Sequence, residues 1–203
     1  MSAPREVIVL GAGGHAKVVV STLRAAGHSV LALYDRDPAK AGTHVLGAPV
    51  LLQDDLPASG AAVIGIGGNS TRRALAVQFP GLEWLTVVHP AAWVDPSSTL
   101  GPGTVVFAGA IVQPSSTLGA HVIVNTAATV DHDCLVGDFV HLAPGTHLAG
   151  DVHVGEGSFL GIGVTTIPGT RIGRWAMVGA GGVVVRNLPD GVKAVGVPAR
   201  PAG

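Results

Sequence analysis

The chain has 203 residues, 47% of them hydrophobic and only 12% charged, with a formal net charge of −1. That balance supplies no bulk field to hold nucleic acid or an anionic membrane surface. The mean hydropathy of +0.49 arises without any run of ~18 apolar residues, so no membrane span is expected. A single cysteine excludes an internal disulfide framework, and Met1 to Glu6 lacks a charged-then-apolar leader pattern, so a cytoplasmic protein of one or two domains is expected.

Glu6 to Leu10 reads as an apolar strand ending in Gly11-Ala12-Gly13-Gly14-His15-Ala16-Lys17. A helical run follows through Arg24, and a second strand, Ser29 to Tyr34, ends at Asp35. Glycines after a strand let the backbone approach a ligand, and the free N–H groups of a helix start attract phosphate. Asp35 stands where a dinucleotide-binding fold places the acid that meets a ribose hydroxyl. Ala61 to Ile66 predicts a third strand, which leads through Gly67-Gly68-Asn69 to a helix from about Ser70 to Phe79. Arg72 and Arg73 on that helix read as a solvated face. A domain ending near residue 87 holds about half of a Rossmann sheet, which suits a mononucleotide or a sugar nucleotide better than NAD.

From Val88 to Val184, at every sixth residue, the chain carries an aliphatic side chain with one exception, Thr166. A small or compact residue follows four places after each, as in Ala92, Ser98, Thr104, Ala110, Ser116, Val122, Ala128 and Cys134. A period of six is a multiple of two, so each hexad can be a short strand plus a bend with one large and one small side chain turned inward. Three hexads close a triangular coil, and each coil hydrogen-bonds to the next, giving nearly six coils. Both ends of such a stack need covering. Residues 1–87 can cover the first coil, and Asn187 to Gly203, with Pro189, Pro198 and Pro201, the last.

Asp131-His132-Asp133-Cys134 breaks the pattern, because an imidazole and a carboxylate occupy the outward places of that hexad. Asp131, Asp133 and Asp138 lie close in sequence, and carboxylates near an imidazole make it a better proton acceptor, as a general base requires. Cys134 falls in the inward small column and reads as packing. His141, His147 and His153 are six apart and so lie on different sides of a triangular coil, unable to converge on one metal within a chain; a zinc site of the carbonic-anhydrase type would need histidines from several subunits. His141 is the more plausible second functional histidine. From Thr86 to Thr170 there are six acids and no Lys or Arg, whereas Arg171, Arg174, Arg186, Lys193 and Arg200 follow against Asp190 alone. A basic end suits the phosphates of an anionic ligand such as coenzyme A.

Together the glycine loop Gly11–Lys17, the hexads, Asn125-Thr126, His132-Asp133-Cys134, Gly137-Asp138-Phe139-Val140-His141 and the tail Gly196-Val197-Pro198-Ala199-Arg200 closely resemble the sialic acid O-acetyltransferase and nucleotide-sugar N-acetyltransferase family of hexapeptide acyltransferases. The resemblance spans essentially the whole chain. It implies an α/β Rossmann-like half domain over residues 1–87 and a left-handed parallel β-helix with a C-terminal cap over residues 88–203. It also implies a homotrimer with active sites between neighbouring β-helices, using acetyl-CoA and no metal in surface glycan biosynthesis. By motif match His132 is the base and Asp133 its polarising carboxylate; His141 touches the acetyl end of the cofactor, and Ile162 and Ala180 lie near the pantetheine arm. Gly13, Gly14, His15, Asp35, Arg36 and Gly67 line the sugar-nucleotide site, with Arg36 where some relatives carry a second acid, and Asn125 sits near the reacting sugar. The leading expectation is acetyl transfer to the amino group of a nucleotide-linked amino sugar. Transfer to a hydroxyl of sialic acid is the alternative, and a silent scaffold or a zinc enzyme the remoter ones.

Overall fold

In the computed structural model, which describes residues 3–202, strand β1 (Glu6–Leu10) lies inside a six-stranded sheet. After the exposed Glu6 it is apolar from Val7 to Leu10, because both of its faces are covered there. Val7 and Val9 pack with Val19, Val20 and Leu23 of helix α1 (Gly14–Ala25), while Ile8 and Leu10 share a second cluster with Leu75. The remaining strands are β2 (Ser29–Asp35), β3 (His44–Val45), β4 (Ala48–Leu52), β5 (Gly60–Ile64) and, after helix α2 (Asn69–Gln78), β6 (Leu82–Trp84). Their order is β3-β4-β2-β1-β5-β6, and all pairs are parallel except β3 with β4.

This sheet is fuller than the half expected from sequence. His44 to Leu52 escapes pattern reading because Gly47 and Pro49 interrupt it and only a short 3-10 turn follows. The chain builds outward from β1 through β2 to β4, then returns to β5 and β6 on the other side. A crevice therefore opens between the carboxyl ends of β1 and β5, where open α/β sheets bind ligands.

Seventeen two-residue strands then recur at six-residue intervals, from Val87–Val88 to Val183–Val184. Those inside the stack pair in parallel with the strands 18 residues before and after them, as Val105 does with Val87 and Ile123, so the strands form three sheets. The result is a three-faced prism. Outward residues include Ile123, His141, Phe159 and Met177 on the first face; Trp93, Ile111, Thr129 and His147 on the second; and Thr99, Leu135, His153 and Arg171 on the third. The inward columns fill the prism: Val124, Val130, Leu142 and Leu160 are fully buried, as are Ala110, Ala128, Cys134 and Val140.

Hydroxyls in the small column remain satisfied by bonding to the adjoining turns, Ser116 Oγ to the Asp131 carbonyl at 2.7 Å and Ser158 Oγ to that of Gly173 at 2.6 Å. Thr166, the exception among the aliphatics, has a comparable role. Its hydroxyl accepts from the Ala149 N–H at 3.0 Å, in the place where the regular ladder uses a carbonyl.

The tail covers the last coil. Lys193–Val195 extends the first face and pairs antiparallel with Arg200–Pro201, burying Ala194 and Ala199. At the other end the expectation of a cap needs correction. The N-terminal sheet and α1 pack against the outward residues Val87, Val105 and Ile123 of the first face, leaving Val88, Val94 and Leu100 of the first coil only partly buried and Trp93 56% exposed.

Helix α2 lies along the edge between the third and first faces, and here a second expectation fails. Arg73 is exposed, its guanidinium 5.7 Å from the Trp175 ring centre, but Arg72 is 1% exposed. It is buried because α2 docks on successive turns of the solenoid. Asn69 Nδ2 donates to the Gly157 carbonyl at 2.9 Å, and Arg72 to those of His121 and Phe139 at 2.8 and 2.7 Å.

Candidate active site

Gly13, Gly14, His15, Asp35, Arg36 and Gly67 line one cavity of about 310 Å³ at the β1/β5 crevice, joined there by Lys40 and Gln53. The loop can turn into it because Gly11 sits at φ +100°, a conformation side chains rarely adopt, with its N–H donating to the Tyr34 carbonyl at 2.7 Å. Helix α1 has no side-chain cap on its first turn, which leaves N–H groups open to an anion. Asp35 is already engaged: Oδ2 accepts from the Ala12 N–H at 2.8 Å and from Lys40 Nζ at 2.9 Å, and Oδ1 from the Asp37 N–H at 3.0 Å. Burial alone would raise its pKa, but these bonds outweigh burial and hold it below the ordinary value. Lys40 went unnoticed in the sequence, where nothing but its distance of five residues from Asp35 marks it.

From the cavity floor a chain of hydrogen bonds crosses into the β-helix. His141 Nδ1 lies 3.1 Å from the Gly67 carbonyl, which can only accept, so this nitrogen carries the proton. Nε2 is then the acceptor for Asn125 Nδ2 at 3.0 Å, while Asn125 Oδ1 accepts from the Thr126 N–H at 2.8 Å. His15 packs against Phe107 and His141, with ring centres 5.5 and 5.8 Å apart, and its buried Nε2 has no partner among the described residues. Both rings are held neutral. Burial, together with the Arg72 cation, lowers each to about 4.

His132 and Asp133 occupy a different corner. They sit in the turn between Thr129–Val130 of the second face and Leu135–Val136 of the third, whereas Asn125 lies between the first and second faces. His132 points outward with its side chain 60% exposed, Nδ1 2.8 Å from Asp133 Oδ2, so Nε2 is left with a free lone pair. The bond to Asp133 raises the pKa of His132, assisted by the charges of Asp131, Asp133 and Asp151. Asp138, grouped with these acids in the sequence reading, instead accepts from the Ala120 N–H at 2.7 Å. Its replacement, Asp151, comes from the next coil, 18 residues after Asp133, and donates its N–H to the His132 carbonyl at 2.9 Å.

The His132 ring rests on Gly150, where a Cβ would come within 2.6 Å of Cε1 and Nε2. Gly150 is buried, and its N–H makes no hydrogen bond to any described residue. Cys134 is buried with Sγ 3.2 Å from the Ala149 carbonyl, and burial pushes its thiol up to about 11, so it packs and does not attack.

Ile162 and Ala180 share the corner that carries Asn125, one coil apart, with the Gly181 N–H bonded to the Ile162 carbonyl at 2.7 Å, and both are exposed. His141, His147 and His153 fall on three different faces. Among the described residues no group of three His, Cys, Asp or Glu side chains is placed to hold a metal ion. Thus the structure joins the glycine-loop cavity to His141 and Asn125, and sets His132 and Asp133 across the second face from them.

A nucleotide-type crevice built onto a hexapeptide solenoid that bears an outward, carboxylate-backed imidazole defines an acyltransferase of the β-helix class. The PglD N-terminal domain family matches residues 6–79. Over the full length the chain is similar to PerB from Caulobacter crescentus, solved in complex with CoA and GDP-perosamine: 44% identity, 99% of each chain covered, TM-score 0.90. It is 39% identical to the acetyltransferase domain of PglB from Neisseria gonorrhoeae in complex with acetyl coenzyme A, covering 98% of this chain and 100% of that one, TM-score 0.91. WeeI from Acinetobacter baumannii matches at 27% identity, 97% and 99% coverage and a TM-score of 0.87. No curated protein sequence matches. The chain belongs to the nucleotide-sugar N-acetyltransferases of the hexapeptide-repeat family, and its solenoid is their left-handed parallel β-helix.

Proposed function

We propose that this protein transfers the acetyl group of acetyl-CoA to the amino group of a nucleotide-linked amino sugar, working as a homotrimer in the cytoplasm. The observation that carries this reading is the pairing of two half-sites on the corners flanking one face. The sugar-nucleotide cavity, His141 and Asn125 lie toward one corner and His132 with Asp133 on the other. Three prisms related by a threefold axis, with their second faces inward, would set the His132 corner of each against the Asn125 corner of its neighbour. PerB, whose 44% identity spans 99% of each chain, is described in complex with CoA and GDP-perosamine, which supports the same pair of ligand classes here.

In this reading the uncharged amine attacks the thioester carbonyl, forming the C–N bond, while His132 Nε2 takes its proton. Asp133 holds the imidazole by Nδ1 and stabilises the imidazolium. The oxyanion needs a donor, and the free, buried Gly150 N–H beside the ring supplies one. As the tetrahedral intermediate collapses the C–S bond breaks, and the CoA thiolate leaves, to be protonated. Ile162 and Ala180, exposed along one corner, would border the pantetheine arm. Holding both substrates in a cleft between subunits provides much of the rate through proximity.

The test is a thiol-release screen with acetyl-CoA and UDP-, GDP- and dTDP-linked amino sugars beside sialic acid. Release with one of the amino sugars, accompanied by an N-acetyl product, is expected; release with sialic acid alone would overturn the choice of acceptor.

A further inference from the structure

The chemistry above makes no use of Arg72, the largest fully buried side chain. Its guanidinium has no carboxylate partner among the described residues. All five of its N–H groups are nevertheless satisfied. Nε donates to the His121 carbonyl at 2.8 Å; Nη1 donates to those of Ile66 and Gly67 at 3.3 and 3.2 Å; Nη2 donates to Asn69 Oδ1 at 3.0 Å and to the Phe139 carbonyl at 2.7 Å. Burial lowers its pKa to about 9, so it remains cationic at neutral pH.

Such a set of acceptors is unusual in what it connects. Two carbonyls belong to the segment after β5 that floors the sugar-nucleotide cavity, and two belong to turns on successive coils of the solenoid. The Gly67 carbonyl accepts from both Arg72 and His141. Whatever fixes that oxygen therefore also fixes which His141 nitrogen holds the proton, and hence the direction in which the Asn125 amide points.

We propose that Arg72 is a positioning residue for acetyl transfer: by gripping Ile66 and Gly67 against the turns at His121 and Phe139, it sets the His141 tautomer and through it the orientation of Asn125. Its kinetic consequence rests on the acetyl-transfer reading; its structural consequence does not.

The experiment uses the assembled protein with 15N-labelled histidine, without ligand, as wild type, Arg72→Gln and Arg72→Lys, together with steady-state kinetics on the amino sugar that turns over. In the wild type the His141 resonances should report a protonated Nδ1 and an unprotonated Nε2 at neutral pH. Arg72→Gln should lose that single tautomer and lower kcat on the order of 10²-fold, with oligomeric state unchanged. Arg73→Ala, altering the exposed neighbour on α2, should change neither.

A purely structural latch predicts the contrary: a lower melting temperature in both Arg72 variants, with the His141 tautomer and kcat per assembled enzyme as in the wild type. That result, or an Nε2–H tautomer in the wild type, overturns the proposal. Should Arg72→Gln fail to assemble, Arg72→Lys, which keeps the charge but reaches fewer carbonyls, is judged by the same two readouts. If no nucleotide sugar is acetylated, the resonances alone decide the role of Arg72, so the two readings fail separately.

Discussion

At the scale of single residues, basicity at His132 is set by its neighbours and not by burial. His132→Asn should abolish thiol release while preserving assembly and acetyl-CoA binding, as measured by gel filtration and calorimetry; full activity in that variant would remove the residue from the mechanism. Asp133 and Asp151 both raise the pKa of the imidazole, so Asp133→Asn and Asp151→Asn should each shift the acid limb of the pH–rate profile to lower pH. Plateau kcat should fall as well, more for Asp133, which also fixes the tautomer by its hydrogen bond. Asp133 and the outward direction of His132 could be read from the hexad register. Asp151 could not, because its proximity arises from an 18-residue coil that stacks one turn on another.

At the scale of elements, the solenoid follows from a repeating choice of one large and one small inward side chain. Leu142→Ala opens a cavity in the filled prism and should cost roughly 2–5 kcal/mol in thermal unfolding at fixed chain concentration. Thr166→Val should cost about 1–3 kcal/mol, because it leaves the Ala149 N–H without its acceptor. Thr166→Ser should be close to wild type. Here the sequence was informative and incomplete together: the period located the seventeen two-residue strands, while the single departure from it looked like a blemish and proved to be a hydrogen-bond acceptor. Helix α2 was foreseen within a residue of its bounds. Which of its arginines would be buried was not, since α2 carries Arg72 and Arg73 side by side and only docking on the solenoid distinguishes them.

At the scale of the whole molecule, the junction of sheet and solenoid stores a pH dependence. His15, His121 and His141 are lowered from 6.5 to about 4 in the folded chain, chiefly by burial. Above about pH 6.5 neither the folded nor the unfolded state protonates them and they contribute no pH dependence. Below it the unfolded chain binds protons that the folded one excludes, so stability falls as pH drops from 6.5 toward 4. Melting temperature should decline steeply across that window, and His121→Phe should flatten part of the decline. The proposed homotrimer, with its site shared between chains, makes a further demand on assembly. Trimers of His132→Asn and trimers of Asn125→Ala should each be nearly inactive, yet co-assembled chains should regain about a quarter of wild-type activity, since that share of random interfaces pairs two intact halves. No recovery would place the reacting groups within one chain.

The sequence by itself determined the solenoid, its inward columns, the outward imidazole and the glycine loop, because these depend on local periodicity and on steric limits that act within a few residues. Only the tertiary structure decided that Asp151 and not Asp138 accompanies His132, that Arg72 is buried, and that the cavity connects to His141 and Asn125 through Gly67. Those relations depend on coil stacking and on α2 docking across tens of residues, and hydrogen bonds at about 3 Å are fixed by where distant segments meet, which no spacing along the chain encodes.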